Sequence, residues 1–139
     1  MFRQRTAGIL LHISSLPGPY GIGDFGPTAL AFVDFLKQAR QHFWQLLPLN
    51  VTTAETGYSP YNCQSAFAGN PLFISPAQLW ADGWLNKSDL SAHPSFRANR
   101  VEFNRVAALK QRLMKRAFER FNAAGANDDF QCFRLQHQD

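Results

Sequence analysis

At 139 residues, the chain has the length of one ordinary globular domain. Hydrophobic residues at 45% and charged residues at 17% exclude a disordered chain over most of its length, and no run approaches the ~18–20 apolar residues of a membrane span. The net charge of +4 is concentrated, because residues 97–120 hold eight basic residues against Glu102 and Glu119; this reads as the wet face of an amphipathic helix, not a nucleic-acid surface.

Cys63 and Cys132 stand far apart with no Cys-x-x-Cys or Cys/His cluster, so neither a disulfide framework nor a metal site is expected, and a reducing, cytoplasmic compartment fits best. Thirteen Phe, three Tyr and three Trp suit either a large core or a surface that stacks on flat ligands, and position has to decide between them.

The opening of the chain has the basic start of a leader, but its apolar run is short, contains His12 and lacks a small-x-small cleavage site. Residues 7–13 (Ala-Gly-Ile-Leu-Leu-His-Ile) read instead as a strand buried on both faces, as in parallel sheets. Residues 16–26 hold four Gly and two Pro in eleven positions, which makes a shaped loop. Pro27 then sits where a helix N1 proline belongs, and Leu30, Val33, Leu36 and Ala39 predict an amphipathic helix to about Arg40, widened by Phe32 and Phe35. Residues 43–49 (Phe-Trp-Gln-Leu-Leu-Pro-Leu) form a second buried-strand pattern that Pro48 ends.

Strand, loop, helix, strand is a βαβ unit, whose strands pair in parallel and whose ligands gather beyond the strands' carboxyl ends. Two loops lie there, residues 14–26 and the long polar segment 50–70, which carries Tyr58, Tyr61 and Phe67. Beyond them, residues 76–80 and 85–90 read as short helical turns, with Asn86 as a cap. Residues 101–121 give the strongest helix, with Val106, Leu109, Leu113, Ala117 and Phe121 on one stripe, and residues 123–127 end it. Residues 128–139 show no closing element. Trp44, Trp80, Trp84 and His12 read as interior packing residues, with His12 satisfied, and Asp24 reads as a loop-ordering residue ahead of a substrate contact.

Three stretches carry a resemblance: residues 7–26 (AGILLHISSLPGPYGIGDFG), 43–49 (FWQLLPL) and 59–71 (SPYNCQSAFAGNP). In this order and spacing they resemble the amino-terminal motifs of the amylomaltase or 4-α-glucanotransferase family, glycoside hydrolase family 77, over about Arg5 to Leu85. The resemblance implies an α/β fold, the N-terminal part of a (β/α)8 TIM barrel with its first two βα units. Residues 1–75 would hold the first strands, helix and active-site loops, and residues 76–139 an inserted, mostly helical region.

It also implies transfer of α-1,4-glucan segments in starch, glycogen and maltodextrin metabolism by a retaining covalent mechanism, without cofactor. The expected partners are α-1,4-glucans and maltooligosaccharides, with no nucleic acid and no membrane. The family's Ser-Pro-Tyr tyrosine, which packs on the glucose ring at the cleavage point, corresponds to Tyr61. Its ring suits the apolar face of glucose, Ser59 offers a hydroxyl, and Tyr58 offers either more stacking surface or a loop anchor. Asn70 either contacts sugar or holds its loop through an Asx turn.

The family's catalytic carboxylates sit on later barrel strands, and a barrel takes about 250 residues to close, so this chain is expected to be a fragment that transfers nothing alone. Asp24 and Glu55 lie in the active-face loops, but no local feature marks either as a catalytic acid or base, so no residue is assigned as catalytic. A glucan-binding or assembly module without catalysis is the alternative.

Overall fold

A computed structural model describes residues 5–63, 65–125 and 128–137. Residues 1–4, part of the leader question, and 126–127, the last part of the expected helix stop, lie outside the described residues. Strand β1 (Gly8–Leu10) pairs in parallel with β2 (Phe43–Gln45), in the register Gly8 to Phe43, Ile9 to Trp44 and Leu10 to Gln45. Helix α1 (Pro27–Gln38) connects them and begins on its proline. The βαβ reading therefore holds, as an α/β unit with a small parallel sheet.

Two expectations about its packing do not hold. The strands are short and exposed rather than buried on both faces, with Ile9, Leu10 and Phe43 open to solvent. Among the described residues the sheet has only two strands, so little is available to cover them. Helix α1 is also rotated from the expected stripe: Ala29 and Leu36 are buried with Phe32 packed against the core, while Leu30, Val33 and Phe35 are exposed. The Phe32 ring meets Trp44 edge-on at 4.9 Å, and that contact sets which face of the helix turns inward.

The helices that follow have local causes. In α2 (Pro76–Ala81), Ser75 caps the Gln78 amide at 3.3 Å and Pro76 opens the first turn. In α3 (Lys87–Ser91), Asn86 is the cap residue and the Asp89 carboxylate reaches back to its amide at 2.9 Å. The long α4 (Phe103–Ala123) buries Val106, Leu109, Leu113 and Ala117 as its periodicity predicts, and it ends at Gly125, whose φ of +95° suits a residue without a β-carbon. A further helix, α5 (Asp128–Gln136), occupies the stretch in which no closing element was read; its opening aspartates and Arg134 in its last turn complement the helix dipole.

Helix α4 joins the molecule. Its Val106 sits in the core with Ile13, Leu16, Ile22, Leu72 and Phe73, whereas its Leu109, Leu113 and Ala117 close a second core around Tyr20 and Leu85. The basic residues of α4 are tied down more than a solvated face would be. Arg116 and Arg120 each meet Asp89 at 2.6 Å, Arg105 meets Glu102 at 2.8 Å, and Arg112 donates to the Ala92 carbonyl.

Candidate functional site

The described residues of the segment after β2 are ordered by the segment's own hydrogen bonds. Its neck closes where Asn50 and Gly69 form an antiparallel bridge, with Val51 N–H donating to the Ala68 carbonyl at 3.2 Å and Asn70 N–H to that of Leu49 at 2.9 Å. The Asn70 side chain is buried, and both its ends are engaged. Its Oδ1 accepts from Leu72 N–H and its Nδ2 donates to Thr52 Oγ1, each at 3.0 Å, which starts the 3-10 turn Pro71–Phe73. This geometry favours the loop-holding reading of Asn70.

Further out, a 3-10 turn over Ala54–Thr56 leads into two consecutive residues with left-handed backbone, Gly57 at φ +62° and Tyr58 at φ +57°. Ser59 N–H then donates to the Thr56 carbonyl, Tyr61 N–H to Ser59 Oγ at 3.3 Å, and Asn62 N–H to the Ser59 carbonyl. The Tyr58 ring stacks on Phe103 at 4.7 Å, with 14° between planes, and its hydroxyl donates to Asn104 Oδ1 at 2.8 Å. The structure thus brings Tyr58, Ser59 and Tyr61 onto one tight turn and sets Asn70 at the neck. Of the four, Tyr61 stands out, with 73% of its surface exposed. On the same loop Phe67 is 99% exposed.

Between this loop and the carboxyl ends of the strands lies a cavity of about 200 Å³, lined by residues that include His12, Ser14, Asn50, Tyr58 and Pro60. Tyr61 is not among its lining residues. His12 departs from the expected satisfied histidine: its Nδ1 is buried without a hydrogen-bond partner among the described residues, its ring edge faces Phe73 at 5.3 Å, and burial pushes its pKa below the ordinary value. Trp44 is half-buried and donates from Nε1 to the Leu11 carbonyl at 2.7 Å, while Trp80 is exposed instead of packed.

Two buried charged residues escape a motif reading. Lys110, 1% exposed, donates to Asp24 Oδ2 at 2.7 Å and to the Ile74 carbonyl at 2.6 Å, so it pins the glycine-rich loop after β1 to the stretch just beyond the 50–70 segment. Burial lowers its pKa, and the Asp24 charge opposes that shift. The signal was its place on the apolar stripe, between Val106 and Leu113. Asp89 is the other: the Arg120 and Arg116 guanidiniums and the Asn86 amide hold its carboxyl at about 2. Among the described residues, no group of three or more His, Cys, Asp or Glu is arranged to hold a metal, and no helix is long and apolar enough to cross a membrane.

The class defined by fold and site is a parallel βαβ unit with a self-bonded loop, tipped by an open tyrosine, after its second strand. The family model of the 4-alpha-glucanotransferases matches residues 11–139, and the chain belongs to that family. A 4-alpha-glucanotransferase of Aquifex aeolicus is 44% identical over 127 residues, covering 91% of this chain and 26% of that protein. One of Streptococcus pneumoniae is 42% identical over 137 residues, covering 98% and 27%. In structure the chain is similar to an amylomaltase from Streptococcus agalactiae in complex with acarbose, with a TM-score of 0.87 and 35% identity, over 97% of this chain and 27% of that one. The chain thus spans about a quarter of the length of the relatives it matches.

Proposed function

We propose that this chain provides sugar-binding loops for a 4-α-glucanotransferase that moves α-1,4-glucan segments between starch-like or maltooligosaccharide chains in the cytoplasm. In this reading β1, α1 and β2 are the first two βα units of a (β/α)8 barrel. Residues 1–75 carry those units and the active-face loops, and residues 76–139 form a helical insertion packed on them.

The observation that carries the reading is Tyr61, an open ring on a self-bonded loop beyond the second parallel strand, in a member of this family. An aromatic face of that kind covers the apolar C–H face of a glucose ring. Ser59 adds its hydroxyl beside the ring, Tyr58 bounds the turn, and Asn70 fixes the neck from which the loop projects. The reaction needs one carboxylate as nucleophile and a second as acid and then base. We assign those to the part of the relatives' length that this chain does not match.

Calorimetric titration with maltoheptaose tests the binding role. The chain is expected to bind it, and Tyr61→Ala to weaken binding by about tenfold, equivalent to ~1.4 kcal/mol. Unchanged affinity in Tyr61→Ala would remove the basis of the assignment. Incubated with maltotriose, the chain alone is expected to yield neither glucose nor longer oligomers.

A further inference from the structure

We propose that Tyr58 is a positioning residue for Tyr61, holding the tip of the loop against the start of α4 instead of touching sugar; this rests on the reading of Tyr61 as the stacking residue. Tyr58 has a left-handed backbone, φ +57°, which its β-carbon disfavours and which glycine would adopt freely. A tyrosine kept in that conformation needs contacts that hold it there. Both parts of its side chain have them. One face lies 4.7 Å from Phe103, and the hydroxyl reaches Asn104 Oδ1 at 2.8 Å, a bond across 46 residues of sequence.

The anchor itself is firm. Phe103 and Asn104 open α4, whose Val106 is fully buried and whose Lys110, two turns along, bonds the Ile74 carbonyl where the same segment leaves the site. Phe103, Val106 and Lys110 fall at i, i+3 and i+7, so one helix face holds both Tyr58 within the loop and Ile74 just beyond its neck. Everything between Tyr58 and Tyr61 is a short local turn whose bonds run through Ser59 and Thr56. Fixing Tyr58 therefore fixes where the Tyr61 ring projects.

The test needs two measurements on the chain. Tyr58→Phe and Asn104→Ala each remove the same hydrogen bond without adding bulk. Water-exchange NMR should show the Tyr61 and Asn62 amides exchanging about 5–10-fold faster in both, with α4 amides unchanged and no further gain in the double variant; the factor matches loss of one ordinary hydrogen bond. Unchanged exchange overturns the proposal. So does an equal rise across α4, which would make the contact a brace for the helix.

In maltoheptaose titrations Tyr58→Phe should weaken binding about 3–10-fold, whereas adding it to Tyr61→Ala should cost nothing more. Additive losses would make Tyr58 a direct sugar contact and overturn the proposal. Full affinity in Tyr61→Ala would instead sink the functional reading and leave the exchange result standing.

Discussion

Asp89 gives the sharpest quantitative expectation, because three donors converge on one buried carboxylate. It is 5% exposed, accepts from Arg116 and Arg120 at 2.6 Å each and from the Asn86 amide at 2.9 Å, and titrates at about 2 instead of the ordinary 3.8. At 1.36 kcal/mol per pH unit, that depression corresponds to roughly 2 kcal/mol. The two arginines are 45% and 35% exposed, so solvent screening reduces the working figure to about 1–2 kcal/mol. A depressed folded-state pKa means the contribution is complete above about pH 5, shrinks as pH falls through 3.8, and is gone below about 2. Asp89→Asn should thus be destabilised by about 1–2 kcal/mol at pH 7, and its urea curve should merge with that of the parent as pH approaches 2. A gap that stays constant from pH 7 to pH 2, or no gap at pH 7, would refute the ion-pair explanation and leave only packing.

Lys110→Met should cost about 3–5 kcal/mol, read as a lower urea midpoint, because it strips the Asp24 carboxylate and the Ile74 carbonyl of their shared donor. Gly21→Ala should destabilise by at least about 2 kcal/mol in the same assay: Gly21 has φ +79°, and a β-carbon there would lie 2.5 Å from the Phe96 ring. His12 is half-buried and burial lowers its pKa, so the unfolded chain takes up its proton first as pH falls. Stability should therefore drop from pH 6.5 downward until the depressed value is passed, and His12→Gln should flatten that part of the profile. An imidazole NMR titration giving a pKa at or above 6.5 would contradict this.

What the sequence reveals here depends on whether a residue's partner is local. Proline at the start of α1, the Asn86 cap, the glycine after α4 and the stripe from Val106 to Ala117 are all readable, because each reflects neighbours within one turn. The rotation of α1 is not, because Leu30, Val33 and Leu36 make as regular a stripe as Ala29, Phe32 and Leu36 until Trp44 selects one. The strands were recognisable by their apolar runs, but their burial depends on coverage that an apolar run does not supply. At the candidate site, Tyr61 was singled out by a motif. The partners of Tyr58 lie 45 and 46 residues on, and those of Lys110 lie 86 and 36 residues back, where no local pattern points.

The seven-residue spacing from Phe103 to Lys110 imposes a register on α4 that its composition does not reveal. Each residue of a helix turns it by about 100°, so one residue inserted between these anchors would swing the ammonium of Lys110 away from Asp24 and Ile74 toward the side now occupied by a neighbour. Length variation in this stretch is consequently confined to whole turns, and the same register carries on past the last buried position, Ala117, to Arg120, whose guanidinium must meet Asp89.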